Sequence, residues 1–148
     1  FIIMAEPVVI GYGQNKWVKD ADSKMVWLST ATAHATNTGM DLETAAAGAA
    51  ATSYTVPVGK VFILLWFRPI IYGGSTKEGF FMYERYGGTD YVKSRYGMNL
   101  ASSSAANDLA QRDVECYIEF QAGSTINIAT YAAAMTINFF GLGVETDV

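Results

Sequence analysis

Charge is what this chain has least of. Only 16% of its residues are Asp, Glu, Lys or Arg, against about 25% in an ordinary soluble domain. Hydrophobic residues reach 51% and aromatics 14%, so the folded surface is expected to be apolar or hydroxyl-rich and partly covered by neighbours. The same composition excludes intrinsic disorder. Cysteine occurs once, as Cys116, which excludes an intrachain disulfide. Histidine also occurs once, as His34 in the run Thr30–Thr36, with no nucleophile or second ligand beside it. One His and one Cys do not make the usual zinc set, so neither a metal nor a cofactor is expected. Long apolar runs are missing too: the longest, Val61–Phe67, falls far short of the roughly 18–20 residues of a membrane span. No membrane partner is expected.

Basic residues are outnumbered, ten to fourteen, for a net charge of −4. A nucleic-acid binder needs lysines and arginines to displace phosphate counterions, so that class of partner is not expected either. The charges are unevenly spread. Residues 60–96 hold six basic side chains against Glu78, Glu84 and Asp90, whereas residues 97–148 hold only Arg112 against six acids. A positive middle and a negative C-terminal third can meet within one fold or across a subunit contact.

What is present reads as strands punctuated by turns. The length of 148 residues suits a single core. Phe1–Ile10 is apolar and extended until Gly11-Tyr12-Gly13. In Lys24–Ser29, Val26 and Leu28 alternate against Met25 and Trp27. The stretch 29–53 is rich in Ala, Thr and Gly and reads as a long connection, with a helical turn over Leu42–Ala47. Ser53–Lys60 holds Pro57-Val58-Gly59, read as a type I turn with Pro57 in its second position and Gly59 closing it. The strand that follows, Val61–Phe67, has apolar residues on both faces: Phe62, Leu64 and Trp66 on one, Ile63, Leu65 and Phe67 on the other. One sandwich covers only one face of an antiparallel strand, so the second face predicts a partner. Pro69 is expected to end its ladder.

Gly79–Tyr86 is a further strand, followed by Gly87-Gly88 and a Tyr/Arg-rich loop to Gly97. The segment 99–112 reads as a loop or a short helix over Ala105–Gln111. The clearest alternation places Cys116, Ile118 and Phe120 inward and Glu115, Tyr117 and Glu119 outward. Gln121–Ser124 then turns the chain, Thr125–Ala129 is the paired strand, and Thr136–Val144 closes the sheet.

Tyr54–Lys60, Phe120–Ile126 and the terminal Gly143-Val144-Glu145 together resemble the jelly-roll domains of bacteriophage structural proteins, found as capsid decoration or cement proteins, head fibres and tail-tip proteins. The resemblance covers residues 53–148. It implies an all-β, antiparallel jelly-roll sandwich with residues 1–52 as an N-terminal arm and long connection. It also implies a homotrimer on a virion surface, with the major capsid protein or another virion protein as partner, and no catalytic residues.

The search for chemistry agrees with a non-enzymatic role. Glu115 and Glu119 lie about 13 Å apart along a strand, too far for a glycosidase pair at about 5–9.5 Å. The glycine pairs lack the strand–loop–helix setting of a phosphate cradle. Cys116 alternates with core residues and reads as a small hydrophobe. What remains are contact surfaces. Tyrosine and arginine dominate binding hot spots, which singles out Tyr83, Arg85, Tyr86, Tyr91, Arg95 and Tyr96. The second set is the two-faced strand (Phe62, Leu64, Trp66), and the third is the N-terminal arm (Ile2, Ile3, Val8, Val9). Besides a virion subunit, two readings stay open: a secreted filament subunit that donates Phe1–Ile10 to its neighbour's sheet, and a carbohydrate-binding module using the tyrosines.

Overall fold

In the computed structural model, residues 8–12, 15–19, 23–30, 40–44, 52–72, 77–99, 109–130 and 136–148 are described. They form strands β1 (Val8–Tyr12), β2 (Asn15–Lys19), β3 (Lys24–Ser29), β4 (Met40–Asp41), β5 (Glu43–Thr44), β6 (Thr52–Ser53) and β7 (Lys60–Tyr72). After these come β8 (Lys77–Tyr86), β9 (Thr89–Asn99), β10 (Leu109–Gln111), β11 (Val114–Phe120), β12 (Thr125–Thr130) and β13 (Thr136–Asp147). Among the described residues, β1 and β2 pair only with each other. The rest make two antiparallel sheets. The larger runs β7–β13–β3–β5–β6, with β10 and β11 sharing the outer edge of β7; the smaller runs β4–β12–β8–β9. The all-β sandwich expected from the sequence is the fold.

The core lies between the sheets. Val26, Leu28, Phe62, Leu64, Phe67, Ile71, Ile137 and Phe139 make up the larger sheet's inner side, and Phe80, Met82, Ile126 and Ile128 close the core from the smaller. Leu42 and Tyr54 belong to the same cluster. The sandwich therefore draws in β3, β4 and β5 from the stretch assigned to an arm and connection. Where the helical turn over Leu42–Ala47 was expected, residues 40–44 form two short strands, because the chain there crosses between the sheets; residues 45–47 lie outside the described residues. Leu42 N–H donates to Ile126 C=O at 2.8 Å, and Tyr54 N–H donates to Leu42 C=O at 2.9 Å.

β7 departs from strict alternation. Leu142 pairs with Trp66 but Gly143 pairs with Leu64, so Leu65 is an extra residue in a β-bulge. Before it, Phe62 and Leu64 face the core; after it, Phe67 and Ile71 do. Trp66 thus lies on the opposite face from Phe62 and Leu64, not beside them. Pro69 does not end the strand, which continues to Tyr72 paired with β13. Its missing N–H falls where β11 has stopped at Phe67 and β10 starts at Ile70. No ladder bond is lost there.

The turns follow from glycine. Gly87 and Gly88 have φ of 57° and 80°, the pair of left-handed residues that a tight hairpin between right-twisted strands requires. Thr89–Asn99 is consequently a strand against β8 rather than a loop. The Pro57 turn is shifted by one residue: Lys60 N–H donates to Pro57 C=O at 3.1 Å, which puts Gly59, at φ 77°, in the third position. The Gln121–Ser124 turn does not make a hairpin either. β11 pairs with β7 and β12 with β8, so this turn carries the chain from one sheet to the other. β13, expected at the sheet's end, runs between β7 and β3.

Candidate assembly surface

Among the described residues, no group of three or more His, Cys, Asp or Glu side chains is placed to hold a metal, and His34 lies outside them. Cys116 Sγ donates to the Leu64 carbonyl at 3.3 Å. Burial pushes its thiol up to about 12, far from a reactive thiolate. Native protein is therefore expected to resist iodoacetamide at mildly alkaline pH and to react once unfolded. Rapid labelling of folded protein, read by mass spectrometry, contradicts that placement. Glu115 and Glu119 are exposed, and Tyr117 O–H donates to Glu119 at 3.1 Å.

The sequence-singled residues divide. Phe62 and Leu64 are fully buried within one chain, so they are core and not a surface for a second copy. Tyr96 is also packed on the core, 4.6 Å from Phe67 and 5.1 Å from Phe80 between ring centroids. Val8 and Val9 pair through β1 with Lys19 and Val18; Ile2 and Ile3 lie outside the described residues.

The other tyrosines and arginines gather on the β8–β9 hairpin, by register. Phe81 is opposite Arg95, Tyr83 opposite Val92 and Arg85 opposite Asp90, all on the side away from Phe80 and Met82. Arg95 lies over the Phe81 ring at 5.2 Å. Arg85 donates through Nε and Nη2 to Asp90 at 2.7 and 2.9 Å, which holds the Asp90 carboxyl below its ordinary range. Arg85 also stands 3.7 Å from Asp41. That carboxylate accepts from Thr125 and Asn127 at 3.1 and 3.0 Å. Arg85 is thus a braced side chain, while Arg95 is exposed. Tyr86 and Tyr91, beside the hairpin tip, are 46% and 51% exposed.

A second surface was only half visible beforehand. On the outer side of the larger sheet, register places Phe140 between Ser29 and Arg68, Leu142 between Trp27 and Trp66, and Val144 between Met25 and Ile63. Trp27 is 60% and Phe140 44% exposed, whereas Leu142 and Val144 beneath them are nearly buried. Trp27 meets Trp66 edge to face at 6.3 Å. Arg68 lies over Trp66 at 5.4 Å and is forked onto Asp113 at 2.5 and 2.9 Å. The result is an apolar, aromatic sheet face with its charges at the margin. The signal for it was the Met25/Trp27 alternation together with the two-faced strand. Phe140, Leu142 and Val144 were missed because Thr136–Val144 was read only as the strand that closes the sheet.

A third feature is a cleft of about 300 Å³ beside β3, lined by residues that include Lys24, Trp27, Tyr54 and Glu145. Tyr54 O–H donates to Glu145 Oε1 at 3.0 Å inside the fold. Burial first, and then the neighbouring carboxylate, raises the phenol above its ordinary value, so Tyr54 stays a hydrogen-bond donor.

No protein-family model matches this chain, and no curated protein matches its sequence. Among solved structures it is similar to Eiger TNF from S. frugiperda, with a TM-score of 0.52 and 10% identity over 84% of this chain and 94% of that one. A likeness at that identity speaks to the fold alone. The class is an all-β, antiparallel jelly-roll sandwich.

Proposed function

We propose that this chain is a non-enzymatic structural subunit that assembles with copies of itself, as a homotrimer, through the outer face of its larger sheet. The observation that carries the reading is the apolar stripe of Trp27, Trp66, Phe140 and their neighbours. Exposed aromatic patches of this kind mark interaction surfaces, and the aromatic content with few charges is what an interface core has. The virion setting is the finer part of the proposal: a decoration or fibre subunit that covers seams on a capsid and stabilises the shell. It rests on the resemblance of residues 53–148 to phage jelly-roll proteins. Analytical ultracentrifugation at micromolar concentration tests the assembly. A stable monomer overturns it.

The β8–β9 hairpin is assigned to attachment to another virion protein. Arg95→Ala and Tyr86→Ala are expected to weaken attachment by about 1–2 kcal/mol each, with little change in thermal midpoint, because neither side chain is in the core. Tyr117→Ala, between two glutamates, serves as the control. Capsid co-sedimentation measures the effect. Loss of polysaccharide binding instead moves the carbohydrate reading to first place.

A further inference from the structure

The cleft beside β3 has a physical cause. β3 pairs with β13 along its whole length, but on its other side it meets β5 only at Ser29–Glu43. Among the described residues, the edge from Lys24 to Leu28 has no strand neighbour there. The opening left is about 300 Å³, at the small end of the range for ligand pockets, about 300–1,000 Å³. Glu145 reaches it from β13. Its side chain belongs to a residue only 7% exposed, and Tyr54 O–H fixes one of its oxygens. Among the described residues no cation lies within ion-pair distance of it. Lys24 is its cross-strand neighbour, yet makes no such contact.

We propose that this cleft binds an ammonium or guanidinium group carried beside an apolar one. A buried carboxylate is costly unless a counter-charge and hydrogen bonds accompany it. Tyr54 supplies a hydrogen bond but no charge. A ligand cation supplies both, whereas a neutral polyol leaves the charge uncompensated and an anion is repelled. Met25, Val26 and Trp27 also line the cleft and give the ligand's carbon skeleton an apolar wall. The cation can come from a free amine or from an Arg or Lys side chain on an extended segment laid along the edge of β3 that has no strand neighbour among the described residues. Lys24 is the competing cation, poised near the carboxylate without engaging it.

The test is a titration of the full chain, followed by calorimetry and by the Trp27 indole N–H signal in NMR. Light scattering on the same samples reads assembly separately. Agmatine is expected to bind saturably and to shift the Trp27 signal, while glucose and butanediol do neither. Glu145→Gln is expected to weaken agmatine at least about tenfold, the loss of one charge-assisted hydrogen bond. Lys24→Ala is expected to tighten it several-fold. An extended peptide with one arginine, tested alongside, separates the sources: tighter binding than agmatine points to a docked strand, equal or weaker binding to a small amine. Should Glu145→Gln fail to fold, the contrast of agmatine with glucose and the Lys24→Ala result still decide. Equal binding of glucose, no saturable agmatine binding, or loss of binding in Lys24→Ala overturns the proposal.

Discussion

Phe67→Ala is expected to destabilise the fold by about 3–5 kcal/mol, the usual cost of emptying a buried phenylalanine site. Phe67 is fully buried and is the hub of the aromatic core. It stacks on Phe139 at 5.3 Å and an interplanar angle of 17°, and meets Phe80 and Tyr96 edge to face at 5.9 and 4.6 Å. None of these rings can swing in to fill the void without leaving its own contacts, so the site collapses poorly. Trp66→Ala removes the larger side chain but costs the fold only about 1 kcal/mol, because Trp66 lies outside the core against Trp27 and Arg68. Urea midpoints, compared at a concentration where both variants share one assembly state and with unchanged slope, give the two values. Strict alternation through β7 requires the reverse order, so a larger loss for Trp66→Ala sinks the bulge at Leu65.

That bulge also marks where the sequence stopped being legible. Period-two reading succeeded wherever a strand had one dry face and its own side chains kept alternating. Val26 and Leu28 face in against Met25 and Trp27, and Cys116, Ile118 and Phe120 against Glu115, Tyr117 and Glu119. It failed in β7 because one inserted residue reverses the phase of everything after it, and a run of apolar side chains carries no sign of where the insertion falls. The stretch from Thr89 to Gly97, within β9, was read as a loop for a related reason. Its pairing with β8 contains a second irregularity between Met82 and Tyr83, where Lys93 is the extra residue on β9. Lys93 turns toward Glu84 at 3.4 Å and toward the Phe120 ring at 5.6 Å. A lysine between Val92 and Ser94 does not announce a buried carboxylate across the sheet. Partner choice was hidden as well. The Gln121–Ser124 turn looks like a hairpin locally, but Gly123 N–H donates to Val56 C=O at 2.8 Å and Val56 N–H to Ser124 C=O at 2.9 Å. A segment more than sixty residues upstream is what holds the crossing. The Tyr/Arg hairpin could be found from composition, whereas the Tyr54–Glu145 pair, separated by 91 residues, could not.

Phe140→Asp is expected to weaken self-association by about 3 kcal/mol or more, roughly a hundredfold or greater rise in the dissociation constant, while the isolated subunit stays folded. The aromatic side chain is 44% exposed, so its own chain gives up little on losing it. In an assembly built on the outer face of the larger sheet, the same position is covered, and a carboxylate there is desolvated without a partner. Trp27→Glu acts on the same stripe from the neighbouring strand and is expected to do likewise. Every copy in a closed ring carries the substitution, so each interface is weakened at once. Val58→Ser, in the Pro57 turn and on a side chain 93% exposed, is the matched control and leaves association unchanged. Phe62 and Leu64 cannot serve in this test, since truncating them empties the core. Sedimentation velocity over a concentration series measures the shift, and circular dichroism of the dissociated fraction establishes that the sandwich persists. If Phe140→Asp and Trp27→Glu sediment as the unsubstituted chain does, the subunits do not meet on this face. The outer face of the smaller sheet, with Phe81, Arg85 and Arg95, then becomes the contact to test for self-association.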